Sequence, residues 1–270
     1  MKVVINITCD ENYSPYAKIF INSLNQNAPG AHVMLRAVNC HPNTINSIEA
    51  LGNNISVLQD NTRLSTKRDI LSHGKELIYD GLFDSMQRNK TGVRSPKLLC
   101  SEQMAYCSNI KFMTIADLLS DGSNDIIIYM DIDTIIRGPL DDMYERVSRC
   151  DLAMYMDEPY TSQHPGSTRL EECEALYHGG LICVNNNDKT RELFHEWSGI
   201  VKDDMKNWDV DEKLFYSVHR RDDISVDVLP VTFKDEDLNE MSVIWSGAGQ
   251  TKFTQDVYID ECRRYDSTFK

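Results

Sequence analysis

Apolar and polar positions along this 270-residue chain follow two alternating rhythms. Val3 to Thr8 is rich in β-branched residues and reads as a strand, and "SPYAKIFINSLNQNAPG" behind it reads as a helix. Ser14 is placed to cap free amides, Pro15 suits the first helical position, and Pro29-Gly30 ends the element. Ile19, Phe20 and Leu24 give that helix one apolar side. His32 to Val38 reads as a second strand, Thr44 to Leu51 as a short helix and Ile55 to Leu58 as a third strand. Residues 60 to 95 are polar and read as a surface excursion.

Ser95-Pro96 starts a further helix, running from Lys97 to about Leu119, and the turn "DGSN" closes it. Ile126 to Met130 is an unbroken apolar run, the pattern of a strand whose two faces are both covered by helices. Leu152 to Met156 and Leu181 to Val184 predict more strands, Arg191 to Met205 a helix, and Val226 to Phe233 and Val243 to Trp245 extended segments. The rhythm predicts one α/β domain over residues 1–270, with a mostly parallel central sheet flanked by helices. Its C-terminal half is more irregular and ends in a short tail.

Composition changes this picture little. At 41% hydrophobic and 26% charged, the chain can bury a large core. No apolar stretch approaches the roughly 20 residues of a membrane span, and "MKVVINITCD" turns polar too early for a secretory signal. The expectation is a soluble, cytoplasmic protein. Eight cysteines without a C-x-x-C pair suggest neither a zinc site nor a disulfide framework, and most read as buried fillers. A formal charge of −14 with no basic stripe argues against nucleic acid as the partner. An acidic chain that takes an anionic substrate needs a metal or a few well-placed cations.

Candidate chemistry centres on "IIIYMDIDTIIRG", where the apolar run ends in Asp131 and Asp133. Aspartate fills 27 of 270 positions, so chance alone supplies about three D-x-D triplets, and the sequence holds three, at 131/133, 209/211 and 235/237. Context distinguishes the first, because ligands of open α/β sheets bind at the carboxyl ends of strands. Alternation along the strand end predicts that both carboxylates share one side. Two hard oxygen ligands there suit magnesium or manganese shared with a diphosphate, and a solvated strand end is the alternative. A phosphatase nucleophile pair of the haloacid-dehalogenase kind fits less well, because Thr134-Ile135 stands where those enzymes have Gly-Thr. A nucleotidyltransferase usually needs a basic Gly-rich loop after the first strand, where this chain has "TCDENYSP".

Taken in order, several segments resemble the retaining family 8 glycosyltransferases, enzymes of the Rossmann-like GT-A nucleotide-sugar fold. They are "VVINITCDENYSPYAKIFINSL", "AYCSNIKFMTIADLL", "IIIYMDIDTIIRGPLDDMYE", "YHGGLICVN" and "VDEKLFYSV". The resemblance spans about residues 3 to 253 and implies a nucleotide-binding half over about 1–135 and a donor-sugar and acceptor half over about 136–255. It implies a hexosyltransferase using a UDP-sugar, UDP-glucose or UDP-galactose, with manganese or magnesium and a carbohydrate or other hydroxyl acceptor. An inactive nucleotide-sugar-binding protein is the alternative from another class.

Carried over by position, the resemblance implies that Thr8, Asp10 and Tyr13 hold the uridine; a turn acid beside a helix-start aromatic is the plainer account. Lys111 falls where the family has an Arg facing the diphosphate and sugar, or is an ordinary helical lysine. Asp131, Ile132 and Asp133 would meet the ribose, diphosphate and metal. Gly179, Gly180 and Asn185 would line the sugar pocket, where glycine permits close backbone approach, or the glycines form a structural turn. Asp211 and Glu212 replace the family's Asp-Gln beneath the anomeric carbon, or are simply acids at a helix N-terminus. The family's terminal His-x-x-Gly-x-x-Lys becomes "VIWSGAGQTKF". Aligned on Gly249 and Lys252, Ser246 stands where the metal-binding His would be, and aligned on Gly247, Ile244 does; either way the His is missing, while Gly247, Gly249 and Lys252 remain to cradle a diphosphate.

Overall fold

The computed structural model describes residues 1–64, 101–156, 177–206, 210–218, 221–246 and 251–269, apart from the side chains of Glu212, Lys213, Tyr216 and Thr251. The predicted start of the long helix at Ser95-Pro96 therefore lies outside the described residues, as do Gly247 and Gly249. The chain opens with β1 (Val3–Asp10), α1 (Ser14–Asn27), β2 (His32–Val38), α2 (Pro42–Glu49) and β3 (Ile55–Asp60). Next come α3 (Glu102–Asp121), β4 (Ile126–Met130), β5 (Ile135–Ile136), α4 (Asp141–Val147), β6 (Leu152–Met156) and β7 (Tyr177–Asn185). The last elements are α5 (Asp188–Asp204), α6 (Val210–Val218), β8 (Val226–Val228), β9 (Ile244–Trp245) and α7 (Asp256–Tyr265). Among the described residues, no helix is long and apolar enough to cross a membrane.

Seven strands form one sheet in the order β3-β2-β1-β4-β7-β6-β8. All neighbours run parallel except β7, which is antiparallel to both β4 and β6. Strands β5 and β9 form a separate antiparallel pair. Period-two alternation divides the core between the two faces of the sheet. Ile5, Ile7, Ile126 and Ile128 pack with Phe20, Leu24 and Met143 on one side. Val4, Ile127 and Tyr129 pack with Phe112, Phe194, Trp197 and Phe215 on the other. All five residues of β4 are buried, which explains its unbroken apolar run.

Local chemistry sets the helix ends, and in places differently from expectation. Ser14 does not cap α1; its hydroxyl donates to the Glu11 carbonyl, and Tyr13 occupies the cap position. Helix α3 is capped by Ser101, whose hydroxyl accepts from the Met104 amide, and closes on Gly122 at φ +66°. Helix α5 begins earlier than the apolar rhythm suggested, because Asn187 and Thr190 form a reciprocal capping box. The stretch from Val226 to Phe233 is strand only to Val228 and then a 3-10 turn over Val231–Phe233. The expected short tail is largely the helix α7, with Tyr258, Cys262 and Tyr265 buried. The six described cysteines are free, and four of them are buried.

Candidate active site

The carboxyl end of β4, the same end of β1 and the first residues of antiparallel β7 meet at one edge of the sheet. Asp131 leaves β4 with its amide bonded to the Gly180 carbonyl at 3.0 Å. The chain then turns, with the Thr134 amide on the Asp131 carbonyl at 3.2 Å. The strand ends at Met130, so this turn, and not strand alternation, brings the two carboxylates close. Asp131 accepts from the Tyr129 hydroxyl at 3.1 Å, and Asp133 is paired with Lys252 at 2.8 Å. Ile132 between them is buried in the main core.

Three ammonium groups surround the aspartates. Lys111, Lys234 and Lys252 are only 3%, 4% and 6% exposed, unusual for a side chain that is rarely buried unless paired. Lys111 bonds Asp211 at 3.0 Å and the Gly179 carbonyl at 3.2 Å, and Ser108 donates to the same Asp211 oxygen at 3.2 Å. Lys252 also donates to the Ser246 carbonyl. Lys234 bonds the Ser246 hydroxyl at 2.9 Å and Glu236 at 3.0 Å. His178 closes the ring, with Nε2 at 3.4 Å from Glu236 and Nδ1 accepting from the Gly180 amide at 3.3 Å.

Charge follows from this arrangement. Burial alone drives the Asp131 carboxyl up, but Lys111, Lys234, Lys252 and His178 outweigh it and hold the group below the usual range. Burial wins at Asp133, whose carboxyl is raised despite Lys252, with Asp131 adding to the lift. At Glu236 burial is overcome by the His178 hydrogen bond and by Lys234, which bring it down to about 2.

The two glycines are demanded by close approach. A Cβ on Gly180 would stand 2.5 Å from an Asp131 oxygen, and one on Gly179 would stand 2.9 Å from both the Lys111 nitrogen and the Phe215 ring. Asp211 lies on α6, and Glu212 follows it on the same helix with its side chain outside the described residues.

At the β1 end, Asp10 spends one oxygen on the Tyr13 amide at 3.0 Å and the other on Gln103 of α3 at 2.6 Å. Tyr13 lies beside Tyr16 and Phe253, with ring centroids 5.9 Å and 6.4 Å away. The buried Thr8 hydroxyl finds no hydrogen-bond partner among the described residues.

The structure separates Asn185 from this group. It lies at the far end of β7 opposite Ile126, while Gly180 lies beside Asp131, so five residues of strand, on the order of 15 Å, intervene. Its amide donates to the Cys150 carbonyl, a structural role. The expectation failed because one sequence does not reveal which way a strand runs. Ser246 does reach the site, but its hydroxyl is taken by Lys234 and the Asp235 carbonyl. Sequence reasoning missed Lys234, Glu236 and His178. The only signal was their company: His178 adjoins Gly179-Gly180, Lys234 precedes the discounted triplet Asp235-Glu236-Asp237, and Glu236 is its middle residue.

No protein-family model and no curated protein sequence matches the chain. Solved structures do. The galactosyltransferase LgtC, determined with donor and acceptor sugar analogues, aligns over 98% of this chain and 94% of its own at 15% identity and a TM-score of 0.54. The glycosyltransferase GlyE of Streptococcus pneumoniae TIGR4 gives 0.56 at 12% identity, over 97% of this chain and 60% of its own. The bifunctional glycosyltransferase WbbM gives 0.52 at 13% identity, over 97% and 49%. These likenesses establish a fold shared with glycosyltransferases, the GT-A arrangement expected from the sequence.

Proposed function

We propose that this chain is a family 8-like glycosyltransferase that moves a hexose from a UDP-sugar, UDP-glucose or UDP-galactose, to a hydroxyl acceptor. The observation that carries this reading is the meeting of Asp131, Asp133 and Asp211 with three buried lysines at the carboxyl edge of the sheet. Buried ammoniums beside carboxylates form a fixed dipolar environment able to stabilise charge on a leaving diphosphate.

In this scheme Thr8, Asp10 and Tyr13 take the uridine, the unpartnered Thr8 hydroxyl being free to bond it. The close approach at Gly179 and Gly180 sets this strand start directly against Asp131 and Asp211, the two carboxylates that face the sugar in this scheme. The bond between the anomeric carbon and the diphosphate oxygen breaks as Lys111 and Lys252 meet the growing phosphate charge. The acceptor oxygen bonds the same carbon from the same face, its proton passing to the departing phosphate, which retains configuration. Asp211, held by Lys111 and Ser108, positions the sugar hydroxyls, with Glu212 next to it on α6.

The manganese or magnesium expected from sequence forms no part of this scheme, because the side chains present do not fit it. Of the ligands expected for it, Asp133 and Ser246 are both engaged by lysines, and Asp131 accepts from the Tyr129 hydroxyl.

UDP release from a panel of UDP-hexoses tests the reading. Activity with one of them should vanish in Asp131→Ala and Asp133→Ala, and undiminished turnover in both would sink the assignment. Donor binding with no transfer to any acceptor would favour a nucleotide-sugar-binding protein instead.

A further inference from the structure

Lys234 lies on a segment built to hold it still. Asp235 accepts from the Asp237 amide at 2.8 Å and the Asn239 amide at 2.7 Å, and Trp245 donates to the Asn239 carbonyl at 2.7 Å. Arg137 bonds the Asn239 and Glu240 carbonyls at 3.2 and 2.9 Å and stacks over Trp245 at 3.8 Å. Leu238 is kept at φ +59°, a conformation a bulky residue adopts only when its surroundings impose it. The segment delivers one buried ammonium to Ser246, the residue that stands at the expected position of the third metal ligand.

Ser246 serves two lysines at once, its hydroxyl accepting from Lys234 and its carbonyl accepting from Lys252. Lys252 in turn is paired with Asp133. Two ammoniums thus meet at Ser246, where one divalent cation is expected, and both bring positive charge toward Asp131. Glu236, on the solvent side of Lys234, fixes its direction and is itself tied to His178.

Resting on the donor reading above, we infer that Lys234 is a diphosphate-binding residue and that Lys234 and Lys252 together replace the divalent cation, so that the site holds a nucleoside diphosphate without metal. An ammonium carries three donors and needs no loading, and Lys234 spends two of them on Ser246 and Glu236, which leaves one for a phosphate oxygen. Its position is fixed before the ligand arrives.

Calorimetric titration of the full chain with UDP, in EDTA and in excess manganese, decides the matter. The expected result is binding in EDTA within about threefold of that in manganese, a difference well under the 1.4 kcal/mol of a tenfold change. Binding only in manganese overturns the inference and leaves the donor reading standing. Binding in neither condition overturns both. Lys234→Met should weaken UDP in EDTA at least about tenfold, the scale of a lost charge-assisted hydrogen bond. Lys234→Arg, which keeps the charge, should recover part of that loss, and UDP affinity unchanged in Lys234→Met would contradict the residue's role. Should Lys234→Met fail to fold, the wild-type comparison still decides the question of the metal.

Discussion

Gly180 is the tightest point of the site, since a single methyl there would press into the Asp131 carboxylate at 2.5 Å. Gly180→Ala must push that carboxylate aside, so it should raise the KM for the UDP-sugar at least about tenfold. The accompanying loss of stability should be modest, about 1–3 kcal/mol for an overpacked site. Donor kinetics set beside urea denaturation separate the two effects. Glu236 supplies a pH signature. Its carboxyl titrates near 4.5 when unfolded and at about 2 when folded, so the folded protein holds this proton less tightly. Its stabilisation is complete above about 4.5 and disappears as the pH falls toward 2. Wild-type urea midpoints should therefore drop more steeply over that window than those of Glu236→Gln, and parallel curves would contradict the pairing with Lys234 and His178. The residues legible in the sequence were those with a local signal, Asp131 and Asp133 behind an apolar strand and Gly179-Gly180 behind His178. Lys234 was not legible, because its importance comes from a contact with Ser246 twelve positions away.

Helix α3 acts as a ruler across the site. Gln103 reaches Asp10 near its start, and Ser108 and Lys111 reach Asp211 further along, with eight residues, about 12 Å of helix, between the outer two. Its two ends are set by separate devices, the Ser101 cap and the left-handed Gly122. Ser101→Ala and Gly122→Ala should each cost about 1 kcal/mol in stability. Only the Ser101 change, two residues from Gln103, should also weaken the donor. Equal effects on the donor from both ends would show that the helix responds as a rigid whole. Most elements were legible from periodicity, and the misses have physical reasons. Helix α7 does carry an apolar stripe at Tyr258, Cys262 and Tyr265, but among Asp, Glu and Arg it reads as a tail. Its Tyr258 hydroxyl donates to the Asp133 carbonyl at 2.6 Å, so this last helix buttresses the aspartate turn.

For the molecule as a whole, a formal charge of −14 opposes an anionic donor, and Lys111, Lys234 and Lys252 offset it at this edge of the sheet. The parallel run of β1 to β4 was readable from alternating strands and helices, though not their order β3-β2-β1-β4. The antiparallel β7 was not, and it is this strand that brings Gly179 and Gly180 to the aspartates and carries Asn185 away. The proposed donor site therefore lies at this one edge. Amide hydrogen exchange with and without saturating UDP-glucose or UDP-galactose tests that placement most directly. Protection is predicted at residues 8–13, 131–134 and 177–180, with residues 183–187 at the far end of β7 unchanged. Protection centred on 183–187 and residue 151, or none with either donor, would contradict the account.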